Sequence, residues 1–181
     1  MRSMILLPAL MAVCAVPSAA NFMKFGNLVV PGMVKRHEVP FAAFSAGLTT
    51  MQHNITDKSN VQFDKVFINS GNGYDPSTGV FTCNHDGVYV FIYHGLSESA
   101  GTLWLDLYKN DEYQITGYAH NNNDWAAASN AMLLQLAEND RVSVQAHGSS
   151  NLYGLTDEVY ATFSGFILIP LGQGHDHVGG R

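Results

Sequence analysis

Eight residues at fixed spacing, within about thirty positions, constrain the fold of this chain more than any other feature. They are Phe63, Asn69, Tyr74, Phe81, Gly87, Tyr89, Phe91 and Tyr93. Among them lies the segment 75–79, Asp-Pro-Ser-Thr-Gly, in which the proline presets φ and the glycine accepts a positive φ. This turn predicts that the apolar runs on its two sides are partner strands.

The second of these runs, Val88 to His94, predicts a strand that is apolar on both faces. Tyr89, Phe91 and Tyr93 lie on one face, because side chains alternate along a strand, and Val88, Val90 and Ile92 lie on the other. A strand with two apolar faces belongs inside a layered structure. The pattern therefore favours a sandwich.

The spacing F-x5-N-x4-Y-x6-F-x5-G-x-Y-x-F-x-Y resembles the signature of the globular head domain of complement component C1q. The resemblance extends over roughly residues 40–170, the size of one ordinary domain. It implies an all-β, two-sheet antiparallel jelly-roll sandwich, similar to tumour necrosis factor, that assembles as a homotrimer. We expect no substantial helix and about ten strands.

The first twenty residues have the pattern of a secretory signal peptide. Arg2 precedes an apolar stretch from Met4 to Val16, and the small residues of positions 18–20 suit signal peptidase. We therefore expect a secreted, extracellular product with no membrane span. Residues 21–39 are predicted to be a short leader, without collagen or heptad repeats, and residues 171–181 a flexible tail. Any assembly would then depend on the globular domain itself.

Charge and cysteine content narrow the function further. The chain has 9 Lys+Arg and 15 Asp+Glu, a formal charge of −6, which argues against a nucleic-acid partner. Removal of the signal peptide takes away Cys14 and leaves Cys83 as the one cysteine. Cys83 is interpreted as a buried, inert thiol, and an intermolecular disulfide is the alternative.

The remaining strands follow from alternation, turns and the resemblance. Phe41–Leu48 is predicted to be the first strand. Segments 103–107 and 113–119 should form a hairpin around Asn110 and Asp111. Residues 125–139 have helix-forming composition, but the resemblance implies a strand there. Val142–Ala146 alternates as a half-buried strand, and residues 163–168 resemble the family's terminal strand.

No motif in the sequence indicates catalysis, so we predict a non-enzymatic protein. His94, at the end of the central strand, is assigned a structural role, and His85 a solvated turn. His175 and His177, with the acid between them, could bind a transition metal weakly, although a solvated tail is the simpler interpretation. The resemblance also suggests calcium, with no ligands identified. Asn54, in the polar, turn-like stretch 49–60, begins a glycosylation sequon.

Two polar loops are the candidate ligand-binding sites, because a sandwich presents its loops from a rigid scaffold. The first combines amides, a carboxylate and an indole suited to a sugar: His120, Asn121, Asn122, Asn123, Asp124 and Trp125. The second, residues 149–158, contains Tyr153 and Asp157. Ordinary turns, with Trp125 in the core, are the alternative.

These features and the resemblance together suggest a trimeric, lectin-like pattern-recognition protein of innate immunity that binds carbohydrate or microbial surfaces. A secreted ligand of a cell-surface receptor is one alternative. An extracellular metal- or mineral-binding matrix protein is another.

Overall fold

The computed structural model describes residues 41–98, 100–148 and 150–172, except for the side chains of residues 53 and 54. These residues belong to a compact unit, Glu38–Arg181; a separate unit, Met1–His37, lies outside the described part, as do the predicted signal peptide and leader. The described residues form strands, turns and loops, with no helix among them. The all-β prediction is confirmed.

Twelve strands occur in the described residues. In chain order they are β1 Ala43–Gly47, β2 Gln52–Ile55, β3 Lys65–Ser70, β4 Tyr74–Asp75, β5 Val80–Thr82, β6 Gly87–Leu96, β7 Gly101–Lys109, β8 Glu112–Asn121, β9 Ala127–Leu136, β10 Arg141–Ala146, β11 Ser150–Leu152 and β12 Thr162–Pro170. The first sheet has the order β3-β1-β12-β6-β9 and the second the order β4-β5-β10-β7-β8. The pairings within both sheets are antiparallel, as a jelly roll requires.

The core between the sheets is an aromatic cluster centred on Phe44. Its ring stacks on Tyr74 and Phe81 at centroid distances of 4.8 and 5.0 Å and meets Phe163 edge-on at 4.9 Å. Stacked and edge-on pairs add to the free energy gained from burial of the rings. The predicted inward residues of β6, which are Tyr89, Phe91 and Tyr93, are fully buried.

Hydrogen bonds and close packing account for the spaced signature. The amide of Asn69 donates to Tyr74 O at 2.8 Å and accepts from Tyr74 N at 3.1 Å. The Tyr74 hydroxyl lies 3.2 Å from both the backbone N and O of Phe63. At Gly87 a Cβ atom would lie 2.9 Å from Ile169 O, so the strand pairing leaves no space for a side chain.

The predicted turns and strands are confirmed in their main features. The turn at 75–79 joins the short strands β4 and β5, which pair, and β7 and β8 form the predicted hairpin. The prediction that the longer apolar runs on the two sides of this turn are partners was wrong, because β6 pairs with β12 and β9 while β3 pairs with β1. Asn110 and Asp111 have φ of 50° and 67°, the left-handed conformation of a tight hairpin turn. Residues 127–136 form β9, which pairs with β6 along its whole length, so tertiary pairing overrides their helical propensity.

Three details differ from the sequence-based expectations. The stretch 49–60, expected to be a turn, contains β2, and the stretch 149–158, expected to be a loop, contains β11; the two strands pair in a small ribbon. Ser143 and Gln145, expected to be exposed, are only 7% exposed; in register they lie beside Tyr108 and Asp106 of β7. The ribbon also brings the strand number to twelve rather than ten.

Cys83 is 1% exposed, and its thiol donates to His85 O at 3.1 Å. Burial raises the pKa of this thiol, so the reactive thiolate form is disfavoured. This agrees with the buried-thiol interpretation rather than with an intermolecular disulfide.

Candidate ligand-binding site

The two candidate loops lie side by side, and their aromatic residues form a row. Trp125 stacks on Tyr153 with ring centroids 5.4 Å apart and an interplanar angle of 26°. Tyr153 in turn meets Tyr160 at 5.5 Å and 60°. Trp125 is 49% exposed and Tyr160 36% exposed. We call these three residues the aromatic ladder; Trp125 is therefore a surface residue and not part of the core.

Backbone hydrogen bonds hold the base of the aromatic ladder against the sandwich. Tyr153 N donates to Leu96 O at 2.8 Å, which fixes the second loop to the end of β6. Ala126 N donates to the Ser97 hydroxyl at 2.7 Å, and Ser97 N donates to Ala126 O at 2.8 Å. Both loops are thus anchored to the same short segment after β6. The rings are presented by fixed backbone, which lowers the entropy lost when a ligand binds.

Polar side chains order the loop that leads to Trp125. Asn121 Oδ1 accepts from Asn123 N at 3.1 Å, and Asn121 Nδ2 donates to Trp125 O at 3.2 Å. Asp124 Oδ1 accepts from Trp125 N at 2.8 Å, so this carboxylate is held against the backbone of Trp125. The predicted Asn-rich loop is therefore a structured turn with Trp125 at its exit.

Carboxylates flank the aromatic ladder. Asp124, Asp157 and Glu158 are all exposed. The Tyr160 hydroxyl donates to Glu158 Oε2, and this hydrogen bond raises the pKa of Tyr160. Tyr160 was not identified from the sequence, because it lies 35 positions after Trp125 and the contacts that join them run through Tyr153. Glu158 is the last residue of the second predicted loop but was not singled out.

The other predicted site residues do not join this group. His120 lies at the end of β8, where its ring nitrogens are 2.8 Å from Thr102 Oγ1 and 2.7 Å from Asn122 Oδ1. Asn54 lies in β2 rather than in a loop, and its side chain is outside the described residues, as are His175 and His177. Among the residues described, no group of three His, Cys, Asp or Glu side chains could hold a metal ion.

A surface pocket of about 300 Å³ lies at the opposite end of the sandwich. Its residues include Asp86, Lys109, Gln135 and Asp140. Lys109 Nζ lies 3.0 Å from Asp140 Oδ2 and donates to Gln135 O at 2.9 Å. The cationic group of this pocket is therefore already satisfied by the protein, which makes the pocket a weaker candidate than the aromatic ladder.

The outer face of the first sheet is a second surface of functional interest. In one row of register partners across the sheet, Leu133 lies beside Val90 and Val90 beside Phe166. In the next row Ile92 and Ile68 lie on strands β6 and β3, with Ser164 of β12 and Ser45 of β1 between them. The four larger members are 40% to 56% exposed: Ile68, Ile92, Leu133 and Phe166. We call this surface the apolar face. Contiguous exposed apolar surface of this kind marks an interaction surface.

Comparison with known proteins identifies the family. The model of the C1q domain matches residues 43–168. Caprin-2 of Danio rerio is 37% identical over 128 residues, which are 70% of this chain and 14% of that much longer relative.

Solved structures agree on the fold. The globular domain of zebrafish complement 1qA has a TM-score of 0.61 at 24% identity and covers 72% of this chain and 99% of its own. Eiger TNF from S. frugiperda has a TM-score of 0.61 at 15% identity and covers 75% of this chain and 97% of its own. Murine APRIL at pH 5.0 has a TM-score of 0.58 at 11% identity and covers 71% of this chain and 100% of its own. In the described residues no helix is long and apolar enough to cross a membrane.

Proposed function

The chain belongs to the C1q domain family, and from this premise we propose that it is a secreted, non-enzymatic recognition protein that binds carbohydrate on microbial surfaces as a homotrimer. C1q domain proteins are generally extracellular and non-enzymatic. The pattern of residues 1–20 supports secretion.

The observation that carries the proposal is the exposed aromatic ladder. A hexose ring has an apolar face that packs on an indole or phenol ring, while hydroxyl groups at its edge need polar partners. Trp125 offers the ring, and the Asn121 amide and the Asp124 carboxylate are both hydrogen-bonded to the Trp125 backbone. The anchored backbone at Leu96 and Ser97 keeps this arrangement in place before a ligand arrives.

Assembly supplies the affinity that a single shallow site lacks. C1q/TNF-like domains form trimers, and the apolar face gives this chain a surface to bury against further copies of itself. Linked weak sites bind a repetitive surface about 10²- to 10⁴-fold more tightly than one site does, provided that the geometry allows simultaneous contact. A microbial polysaccharide is a repetitive surface of this type.

The test is an array of glycans and microbial polysaccharides, probed with the purified protein with and without calcium. We expect binding to a subset of glycans and a loss of about tenfold or more in Trp125→Ala, because truncation of a tryptophan at the centre of a binding site typically costs about 2 kcal/mol or more. Tyr113→Ala is the matched control, since Tyr113 is 56% exposed on β8, away from the aromatic ladder. Its binding should equal that of the wild type.

Two results would contradict the proposal. Absence of binding above background in both conditions would remove carbohydrate recognition, and saturable binding to one host membrane protein would then favour a receptor ligand. Binding that is unchanged in Trp125→Ala would place the site elsewhere on the protein. Binding that occurs only with calcium would show that a cation takes part in recognition. The array with and without calcium tests this directly.

A further inference from the structure

We propose that the aromatic ladder selects amino sugars that carry a free, protonated amine over neutral or anionic sugars. This inference rests on the proposed function and specifies the ligand class of the same site. It follows from the charges that surround the rings and from where the positive charges of the domain are located.

Each end of the aromatic ladder has a carboxylate that is hydrogen-bonded to the terminal residue of the ladder. Asp124 Oδ1 accepts from the backbone N of Trp125 at 2.8 Å. At the other end Glu158 Oε2 accepts from the Tyr160 hydroxyl. Asp157 adds a third exposed carboxylate in the same loop. A ligand that lies along the rings therefore meets negative charge at both ends.

Two of the four Lys and Arg residues described are paired with carboxylates outside the site: Arg141 with Asp111 at 2.8 Å and Lys109 with Asp140 at 3.0 Å. Lys65 lies over the ring of Phe67, and Lys58 is exposed. The ion pairs found among residues 41–98, 100–148 and 150–172 do not include the three carboxylates of the site. The formal charge of −6 for the whole chain acts in the same direction.

An ammonium group gains twice at such a site. The face of an aromatic ring carries the negative part of its quadrupole and attracts a cation, most strongly for tryptophan. A neighbouring carboxylate adds a charge-assisted hydrogen bond. A sulfate, phosphate or carboxylate on the ligand would instead meet like charge, which costs binding free energy. An amino sugar combines the apolar ring face with the ammonium group, so it satisfies the rings and the carboxylates together.

The sharpest test compares two ligands that differ only in charge. Glucosamine hexasaccharide carries free amines, and N-acetylglucosamine hexasaccharide is its neutral counterpart. Calorimetric titration at about pH 6, where the amine of the ligand is protonated, should give an affinity about tenfold higher for the free amine, or about 1.4 kcal/mol. Fluorescence of Trp104→Phe, which leaves Trp125 as the one tryptophan, should change on titration with the same ligand.

Charge-neutralising variants test the origin of the preference. Asp124→Asn, Asp157→Asn and Glu158→Gln together keep the acceptor oxygens and remove the charge, so the preference should fall below about threefold while the neutral ligand still binds. The matched control neutralises two exposed acids, Glu112 and Glu138, near the other end of β8, about 30 Å away. Glu112→Gln with Glu138→Gln should keep the tenfold preference.

The outcomes separate this inference from the proposed function. Equal affinity for the two hexasaccharides, with binding that still depends on Trp125, would overturn the charge selectivity and leave carbohydrate recognition standing. Charge selectivity is also overturned if heparin binds more tightly than glucosamine hexasaccharide. If a lysine-rich peptide displaces that hexasaccharide at lower concentration, the assignment of an amino sugar as the ligand is overturned. If no sugar on the array binds through Trp125, the proposed function fails together with this inference.

Discussion

Tyr74→Phe removes one buried oxygen atom and tests the hydrogen bonds that connect the signature residues. The Tyr74 hydroxyl donates to Phe63 O and accepts from Phe63 N, both at 3.2 Å. Tyr74 is 3% exposed and Phe63 is fully buried. The substitution therefore leaves a buried backbone N–H and a buried C=O without this partner, while the ring stacked on Phe44 stays in place.

The expected cost follows from the two bonds that are lost. One intramolecular hydrogen bond contributes about 0.5–1.5 kcal/mol net, and a buried group left unpaired costs about 1–3 kcal/mol. We therefore expect the free energy of unfolding to fall by about 2–3 kcal/mol. With a urea dependence of about 1–3 kcal/mol per molar, the unfolding midpoint should fall by about 1 M.

Urea unfolding followed by circular dichroism measures this change. All variants must be compared at one protein concentration, because oligomer formation stabilises the folded state in a concentration-dependent way. Tyr118→Phe is the control: Tyr118 is 56% exposed, and we expect a change within about 0.5 kcal/mol. If Tyr74→Phe is as stable as Tyr118→Phe, the Phe63–Tyr74 contact does not explain the spacing of the signature.

Three further predictions follow. Burial raises the pKa of Tyr74, Tyr89 and Tyr93 above the ordinary value of about 10. The contribution of these phenols to stability is therefore complete below about pH 10 and is lost as the pH rises above it. The urea midpoint should fall steeply above about pH 10, and it should fall less steeply in Tyr93→Phe. Ile92→Asp, on the apolar face, should give a monomer in sedimentation analysis, whereas Tyr113→Asp, on the other sheet, should sediment as the wild type does. Protein secreted by eukaryotic cells should lose mass on treatment with an N-glycosidase, and Asn54→Gln should not; equal masses before and after treatment would show that the sequon is unmodified.

Much of the fold could be predicted from the sequence because its signals are local. The alternation of β6 and the Asn110–Asp111 turn are each contained in a few residues, and both are confirmed. Residues 127–136 show the limit of local reasoning. Their intrinsic propensity is helical. They form a strand because β6 pairs with all ten of them. The resemblance provided that information, whereas composition did not.

The polar pattern of the second sheet was harder to predict. Asp106 is 2% exposed on β7, and its carboxylate is held by the Thr116 hydroxyl at 2.5 Å and by His147 Nδ1 at 2.8 Å. Simple alternation marks Asp106 as an outward, solvated residue. His147 is in turn stacked on Trp104, with ring centroids 3.9 Å apart. Nothing in the local sequence around any of these four residues indicates that they meet.

Sequence composition identified the two loops of the candidate site but did not predict that they lie side by side and form one surface. Each loop has the composition of an ordinary polar turn, and what makes them one surface is the backbone between them. Tyr153 is fixed by its bond to Leu96, and the next residue, Gly154, is pressed so closely on Thr50 O that a Cβ atom there would lie 2.6 Å away. That close approach sets the direction of the chain between Tyr153 and Tyr160. The rings form a row because four segments that are distant in sequence, around Thr50, Leu96, Trp125 and Tyr153, meet at one corner of the sandwich. A recognition surface built this way can vary its rings and charges while the strands beneath it stay the same.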